Sequence, residues 1–331
     1  MTLHPHGRKN QVKDTMAGDW RKSSLYLVVK PYVPDSFRRV FGSIKRRLIS
    51  TFAAHRVIDF GHFKMRVSNR ETGGIAHETM YWHELGNPLS TEIVNRLKPA
   101  LFVDVGANYG FASLLHHSFY PDARLILIEP NPNLLPYIEG NLRAAGCADF
   151  QLVNAVCGDS HDQKVSFAVN AAYSQDSRVR GPSGWQTVQV ASVTLDGLMH
   201  GVATDMPVFI KVDTQGYEAK VLQGAQQFLS SSSTWIMKIE FGPLWLKSQG
   251  TDPASLLRSL LNQFVVVELP SRMRFQGDDL DSLLTHPLKP EDCERFEHFV
   301  RNLANGDGGY CDLLVLPRTS PFLSLSAQVN A

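Results

Sequence analysis

The sequence has few cysteines, no long apolar run and almost no excess charge of either sign. Of its 331 residues only 4 are cysteines, and none forms a C-x-x-C pair, which argues against a disulfide scaffold. No apolar stretch approaches the roughly 20 residues that a membrane-spanning helix needs. The 33 basic and 32 acidic residues nearly balance, so no overall field points to nucleic acid as a partner. We expect a globular chain with reduced thiols.

The N-terminal region carries most of the positive charge. Residues 1–60 hold 12 lysines and arginines against 4 acidic residues, whereas the remainder holds 21 against 28. We interpret residues 1–35 as a loose tail without a secretory signal, and 36–98 as a cap of helical and β structure. Apolar residues spaced by three and four predict a basic helix over 36–58, with its apolar side at Phe37, Val40, Phe41, Ile44, Leu48 and Phe52.

Two roles for this basic helix are open. Its charged face either contacts only solvent, or it binds an anionic membrane surface or an anionic glycan carrier. We therefore expect a cytoplasmic protein, with peripheral contact at the inner membrane face as the second alternative. A strand-like stretch over 56–67 predicts a small β element beside the helix.

From Pro99 onward, short apolar runs alternate with amphipathic stretches, which is typical of βαβ units around a parallel sheet. The predicted strands are Ala100–Val105, Arg124–Glu129, Phe150–Val156, Val208–Asp213, Trp235–Phe241, Phe264–Leu269 and Asp312–Leu316. The predicted helices are Phe111–Phe119, Asn133–Ala145, Leu195–His200, Tyr217–Leu229 and Pro253–Leu261. We expect an α/β core domain over 99–318 and a C-terminal tail over 319–331.

A long loop interrupts this pattern between two further β-like stretches, Val165–Val169 and Thr187–Val193. Residues Tyr173–Gly184 are rich in glycine, serine and proline. Because long loops inside compact domains are usually functional, we predict a substrate loop over 170–186.

A glycine turn follows the first predicted core strand, in the stretch Leu101-Phe-Val-Asp-Val-Gly-Ala-Asn-Tyr-Gly110. Turns at the carboxyl ends of parallel strands face the ligand. The order is not the G-x-G-x-x-G of dinucleotide folds, and the carboxylate of Asp104 would repel a diphosphate. The same carboxylate suits a cationic ligand without phosphates. S-adenosylmethionine (SAM) is such a ligand, because it carries an ammonium and a sulfonium. Asn108 can replace a glycine because asparagine tolerates left-handed torsions.

The second core strand ends in Glu129, close to the roughly 20-residue offset after the first strand at which an acid meets ribose hydroxyls. The alternatives are that Glu129 is a charge at the N-terminus of the next helix and that Asp104 stabilises its own turn. The third strand ends near Asn154 and Ala155, where the edge of an adenine ring would lie.

Two later strands bring acids to the same sheet edge. Val208-Phe-Ile-Lys-Val-Asp213 ends in Asp213, and Ile236-Met-Lys-Ile-Glu240 ends in Glu240. Such carboxylates act either as a general base with an orienting partner, which we favour, or as oxygen ligands of a divalent metal ion. Asp213 alternatively caps the following helix, and Lys211 either belongs to the catalytic group or only neutralises the acids.

Tryptophan and histidine residues suggest further roles. Trp82, Trp185 and Trp245 either stack on a sugar ring or pack in the core or the loop. The His83-Glu84 pair is a candidate for the pocket wall. His116 and His117 lie on the first core helix, where packing or partial exposure is the simpler interpretation.

Four motifs occur together: Val103-Asp-Val-Gly-Ala-Asn-Tyr-Gly110, Ile128-Glu-Pro-Asn131, Asn154-Ala-Val156 and Phe209-Ile-Lys-Val-Asp-Thr-Gln-Gly-Tyr-Glu-Ala-Lys-Val-Leu-Gln-Gly-Ala225. In this combination the sequence resembles the FkbM family of SAM-dependent O-methyltransferases. The resemblance implies a class I methyltransferase fold, a Rossmann-like and mostly parallel seven-stranded sheet with an antiparallel last strand. It also implies methyl transfer to a hydroxyl, often on a sugar or a polyketide-type product. Gln215 departs from the family, since many members carry an acid there.

These observations lead to one set of candidate site residues. The cofactor-binding candidates are Asp104, Gly106, Ala107, Asn108, Gly110, Glu129, Asn154 and Ala155. The catalytic candidates are Lys211, Asp213 and Glu240. We predict no resident metal, although a divalent ion is the less favoured alternative.

The predicted activity is SAM-dependent O-methyl transfer to a hydroxyl of a glycan or glycosylated metabolite, by in-line displacement. The alternatives are a natural-product O-methyltransferase and a methyltransferase-like binding module without activity, whereas the missing G-x-G-x-x-G disfavours a nicotinamide dehydrogenase. The expected partner is a small-molecule or glycan acceptor. Nucleic acid is not expected, because the positive charge lies on one amphipathic helix without interleaved exposed aromatic residues.

Overall fold

The computed structural model of the chain describes residues 55–73, 75, 88–270, 279–304 and 308–323. All of them belong to one compact unit that begins at His55. The predicted tail over 1–35, most of the predicted basic helix over 36–58, and Trp82, His83 and Glu84 lie outside the described residues. The end of that helix prediction is wrong, because His55–Asp59 is a strand whose side chains alternate between exposed and half-buried with a period of two.

The described ranges contain thirteen strands, most of them short. In chain order they are β1 (His55–Asp59), β2 (Lys64–Ser68), β3 (Leu101–Val105), β4 (Arg124–Ile128), β5 (Phe150–Val153), β6 (Ala155–Cys157), β7 (Lys164–Val169), β8 (Arg178–Val179), β9 (Gln186–Val193), β10 (Val208–Val212), β11 (Trp235–Phe241), β12 (Phe264–Leu269) and β13 (Cys311–Pro317). Strands β1 and β2 form an antiparallel hairpin, which matches the β element predicted over 56–67.

A seven-stranded sheet forms the centre, in the order β12-β13-β11-β10-β3-β4-β5. Every neighbouring pair is parallel except the two pairs that involve β13, the last strand. This confirms the predicted class I methyltransferase fold with its antiparallel last strand. The strand order reverses at the β3–β10 pair, and in open α/β sheets the ligand crevice lies at the carboxyl ends of the strands at such a switch point.

Helices cover both faces of this sheet. They are α1 (Pro88–Leu97), α2 (Phe111–Phe119), α3 (Leu135–Ala144), α4 (Leu195–Leu198), α5 (Glu218–Gln223), α6 (Gln226–Ser231), α7 (Pro243–Ser248), α8 (Pro253–Gln263), α9 (Leu280–Thr285) and α10 (Cys293–Arg301). Along β3, Val103 and Val105 face one apolar core, whereas Phe102 faces the other. Because both faces are covered, all five residues of β3 are buried, Asp104 among them. No helix in the described ranges is long and apolar enough to cross a bilayer.

The predicted strand over 150–156 is divided between two sheets. Its first half, β5, ends the central sheet, and its second half, β6, pairs with β9 in a four-stranded sheet of order β6-β9-β7-β8. The break is at Asn154, whose side-chain amide donates to the carbonyl oxygens of Glu129 (2.9 Å) and Pro130 (3.1 Å). Asn154 is therefore the point at which the chain leaves the central sheet, and its side chain is bonded to the segment that follows β4.

The predicted helix over 217–229 is also divided, into α5 and α6. The break is at Gly224, where a Cβ would lie only 1.9 Å from the carbonyl oxygen of Gly158. Close contact between two backbones thus interrupts a helix that the apolar spacing alone predicts as continuous. The helices predicted from the apolar spacing also did not include α1, α7, α9 and α10.

Candidate functional site

A cleft of about 630 Å³ opens at the carboxyl ends of β3, β4, β10 and β11, next to the switch point. The glycine turn after β3 and the end of β4 form one wall, and the loop after β10 with the end of β11 forms the floor. The predicted substrate loop contributes Ser174–Ser177, and the four-stranded sheet contributes Val156, Phe167 and Val179. Trp245 and Tyr310 also line the cleft.

The glycine turn requires glycine for two reasons. Gly106 has a φ of +81, and a Cβ there would lie 1.9 Å from the carbonyl oxygen of Asp213. The N–H groups of Gly106 and Ala107 both donate to the carbonyl oxygen of Ile128, at 3.0 and 3.1 Å. Asn108 has a φ of +54, the left-handed torsion expected of it. The turn therefore binds the ends of β4 and β10 together.

Glu129 is buried at the cleft wall and is held by the glycine turn. Its Oε2 accepts from the N–H of Asn108 (2.7 Å), and its Oε1 accepts from the N–H of Asn131 (2.8 Å). Burial raises the pKa of the Glu129 carboxyl to about 7, against the effect of these two hydrogen bonds. Each carboxylate oxygen still has a lone pair for a ligand hydroxyl.

Three of the cofactor-binding candidates do not line the cleft. Asp104 is fully buried behind the turn, where Ser113 Oγ of α2 donates to its Oδ2 (2.7 Å), so its carboxylate does not face the cleft. Gly110 has a φ of +82 and begins α2. Asn154 is exposed and fastens the end of β4, as described above. Ala155, in contrast, is on the wall beside Val156.

The Lys211 ammonium links the turn to the catalytic candidates. Its Nζ donates to the carbonyl oxygen of Gly106 (2.9 Å) and forms ion pairs with Asp104 Oδ1 (3.3 Å) and Asp213 Oδ2 (3.5 Å). The Lys211 side chain is 14% exposed and that of Asp213 is 38% exposed. Lys211 therefore compensates a buried carboxylate and one that faces the cleft.

The two carboxylates predicted from strand ends are joined by Gln215. Its Nε2 donates to Asp213 Oδ1 and to Glu240 Oε2, both at 3.1 Å. Glu240 is buried, and burial, followed by the negative charges of Asp213, Glu218 and Asp312, raises its pKa well above the ordinary value.

The loop after β10 is held by Glu218 of α5. The N–H groups of Thr214 (2.9 Å) and Gly216 (3.2 Å) donate to Glu218 Oε1. Gly216 has a φ of +102, and a Cβ there would lie 2.3 Å from the carbonyl oxygen of Trp245. Tyr217, at the start of α5, forms no side-chain cap, and capping by Asp213 is not observed. Asp213 is therefore left facing the cleft.

The predicted substrate loop is fastened to other segments. It contains a short helical turn, Ser174–Asp176, and strand β8. The Ser174 hydroxyl donates to Asn108 Oδ1 (3.0 Å). The N–H of Ser174 donates to Glu71 Oε2 (3.0 Å). Glu71 is buried, and no sequence pattern connects it with Ser174, from which it is separated by 103 positions.

The aromatic and histidine candidates lie in different surroundings, and only one of those described lines the cleft. Trp245 lines the cleft and packs on Tyr310, with ring centroids 5.1 Å apart. Trp185 packs under the guanidinium of Arg178. His116 is buried and stacks on Phe102 at 4.4 Å, and burial lowers its pKa to about 4. His116 is thus a packing residue.

Within the described ranges, no group of three or more histidine, cysteine, aspartate or glutamate side chains is arranged to hold a metal ion. The four cysteines are all buried, and none of them forms a disulfide bond in the described ranges. Of the acids in the cleft, Asp213 and Asp312 form ion pairs with lysines, and Glu240 accepts from the Gln215 amide.

A mostly parallel sheet with a glycine turn and acids at its switch point defines a class I methyltransferase. Residues 104–276, just over half of the chain, match the family described as the methyltransferase FkbM domain. The chain belongs to the FkbM methyltransferase family and is a SAM-dependent methyltransferase. No curated protein matches it in sequence.

Solved structures with a similar fold are distant in sequence. The precorrin-6y C5,15-methyltransferase from Geobacter metallireducens is 15% identical, with 54% of this chain and 72% of that chain covered and a TM-score of 0.31. A putative O-methyltransferase from Klebsiella pneumoniae is 10% identical, with 70% and 79% covered and a TM-score of 0.38. The O-methyltransferase TomG from Streptomyces achromogenes, solved with SAM, is 12% identical, with 70% and 79% covered and a TM-score of 0.33.

Alanine at Gly106 tests the close contact inside the turn, with Gly61 as the control. Both glycines have a φ of +81, but a Cβ at Gly61 meets nothing within 4 Å. We expect Gly61→Ala to lower the free energy of unfolding by about 1 kcal/mol, from backbone strain alone. We expect Gly106→Ala to lower it by about 3 kcal/mol or more, because the Asp213 loop must move. Urea denaturation measures both free energies of unfolding. Equal losses in the two variants would contradict a close contact between Gly106 and the Asp213 loop.

Proposed function

We propose that the protein transfers the methyl group of SAM to a hydroxyl of a glycan or glycosylated metabolite. One observation carries the proposal: in a chain of the FkbM family, the glycine turn with Glu129 and the acid pair Asp213 and Glu240 open into the same cleft. The donor and a proton acceptor can therefore meet there.

The chemistry of the wall fits SAM as the donor. Gly106, Ala107 and Asn108 offer a backbone surface, Glu129 can accept from ribose hydroxyls, and Ala155 belongs to the apolar side for an adenine ring. Acids at both ends of the cleft attract a cation and would repel a diphosphate. When bound, SAM supplies an activated methyl group on a positively charged sulfur.

Asp213 is the residue that we assign to take the hydroxyl proton. It faces the cleft, and the Lys211 ammonium at 3.5 Å stabilises its negative charge. Burial among other acids raises the pKa of Glu240 well above its ordinary value, so we assign the two carboxyls different roles. Gln215 fixes the distance between them. Alignment of the reacting groups can contribute about 7–11 kcal/mol.

A mechanism without a metal ion suits this arrangement better than the metal alternative. The Gln215 Nε2 donates to an oxygen of each carboxylate, and Lys211 is paired with Asp213. A divalent ion would need those oxygens as ligands and would have to displace both donors.

Three residues of the cleft lining, Trp245, Tyr310 and Asp312, support a sugar as the acceptor, and we call them the acceptor wall. Tyr310 is 51% exposed and packs on Trp245. Asp312, also on the wall, forms an ion pair with Lys238 (3.0 Å). Sugars have apolar C–H faces and polar edges, and an aromatic ring beside carboxylates matches both.

Donor affinity should depend on the ionisation of Glu129. Below its pKa of about 7 the carboxyl is protonated and loses its charge and one acceptor position. A ligand whose ribose hydroxyls donate to the carboxylate favours the ionised form, so affinity should rise as the pH rises through this value. We expect titration calorimetry with S-adenosylhomocysteine (SAH) to show this rise, and Glu129→Gln to bind more weakly and without it. NAD should give no heat, and pH-independent binding by the wild type would contradict the role of Glu129.

Substitution of the two acids separates base from partner. Asp213→Asn should lower turnover by about 10²–10⁴-fold, the usual contribution of a positioned base. Glu240→Gln should lose much less, because the amide imitates a protonated acid. Methyl transfer from radiolabelled SAM onto a glycoside library measures both, and SAH affinity close to wild type serves as the control. Wild-type turnover by Asp213→Asn, or the larger loss in Glu240→Gln, would contradict the assignment.

Tyr310 tests the acceptor wall. Tyr310→Ser should raise the acceptor KM about three- to tenfold through the loss of ring stacking, whereas Tyr310→Phe should stay near wild type. SAH affinity should not change in either variant. An unchanged acceptor KM in Tyr310→Ser would exclude a stacking role.

A further inference from the structure

Glu71 is a fully buried acid at the start of the segment that follows the β1–β2 hairpin. Its two carboxylate oxygens accept from backbone N–H groups of different segments. Oε1 accepts from Gly73 (2.8 Å) and Oε2 from Ser174 (3.0 Å). A buried carboxylate is costly unless it is paired or hydrogen-bonded, so both donors are needed to stabilise it there.

The segment after the hairpin lies along the substrate loop. The N–H groups of Thr72 (2.7 Å) and Gly73 (3.1 Å) donate to the carbonyl oxygen of Ala172, and the Thr72 hydroxyl donates to the same oxygen (3.0 Å). A Cβ at Gly73 would lie 2.8 Å from Glu71 Oε1 and 3.1 Å from the Tyr173 ring. The contact is therefore too close for a larger residue.

From Ser174 the contacts continue to the donor wall. The Ser174 hydroxyl donates to Asn108 Oδ1 (3.0 Å), and the N–H of Asn108 donates to Glu129 Oε2 (2.7 Å). Ser174, Asn108 and Glu129 all line the cleft, whereas Glu71 does not. A chain of hydrogen bonds thus runs from Glu71 to the acid assigned to the donor.

We propose that Glu71 is a positioning residue that fixes the substrate loop on the glycine turn, through Ser174 and Asn108, and so sets the shape of the donor pocket. The proposal rests on the proposed function in that the cleft is taken to bind SAM. After Glu71→Gln the side chain has one acceptor oxygen for two N–H donors. Its amide nitrogen is itself a donor and would face the second N–H group. Ser174→Ala keeps the N–H on Glu71 but removes the bond to Asn108.

Two measurements on the full chain test the proposal. Glu71→Gln should speed amide hydrogen exchange at residues 172–177 without ligand, and should weaken SAH binding about three- to tenfold. If Glu71 acts through the Ser174 hydroxyl, Glu71→Gln should weaken SAH binding no further in a Ser174→Ala background.

Asp196→Asn is the matched control. Asp196 is another acid that accepts two backbone N–H groups of a distant segment, those of Gln227 (3.1 Å) and Phe228 (2.8 Å), but it does not line the cleft. It should lower the melting temperature without changing SAH affinity. Wild-type exchange and affinity in Glu71→Gln, additive losses in the double variant, or an equal loss of affinity in Asp196→Asn would each overturn the proposal. A wild type that binds no SAH would contradict the proposed function, and the exchange measurement would still decide the role of Glu71.

Discussion

The Lys211 ammonium is the contact on which the rest of the site depends. It lies between the carbonyl oxygen of Gly106, the buried carboxylate of Asp104 and the cleft-facing carboxylate of Asp213. Without it, Asp104 would be a buried charge without its cation, and such charges are strongly destabilising. The same ammonium that stabilises the interior therefore fixes the glycine turn relative to the residue assigned as base.

Gln215 reduces the repulsion between acids that the sheet brings close together. Glu240 and Asp312 are directly opposite in the antiparallel β11–β13 pair, where like charges repel, and Asp213 is on the adjacent strand end. Lys238 compensates Asp312, and the Gln215 amide donates to the other two acids. An acid at position 215 would add a further negative charge to a group in which Glu240 is already driven toward its protonated form. The departure from the family pattern is thus suited to this particular set of charges.

The sequence predicts the sheet and its ligand-binding edge because apolar runs and a glycine turn are local patterns. It does not show which face of the sheet Asp104 occupies. Both faces of β3 are covered, so the strand shows no alternation between apolar and polar residues. The roles of Asn154 and Gly224 escaped it for a related reason: each is set by a backbone carbonyl from a distant part of the chain. The burial of Glu71 could not be predicted, because nothing near it in the sequence distinguishes a buried acid from an exposed one.

The wall proposed for the acceptor is attached through the backbone to the loop of Asp213, the residue assigned as base, which limits how the two can change independently. Trp245 packs with its carbonyl against Gly216 and with its ring against Gly242, where added Cβ atoms would lie 2.3 and 2.4 Å away. Gly216 belongs to the loop that carries Asp213, so a shift of Trp245 must also shift that loop. Tyr310, in contrast, projects from the segment before β13 and is half exposed. Variation of acceptor preference within this architecture is therefore expected at Tyr310 and along Ser174–Ser177, and not at Trp245.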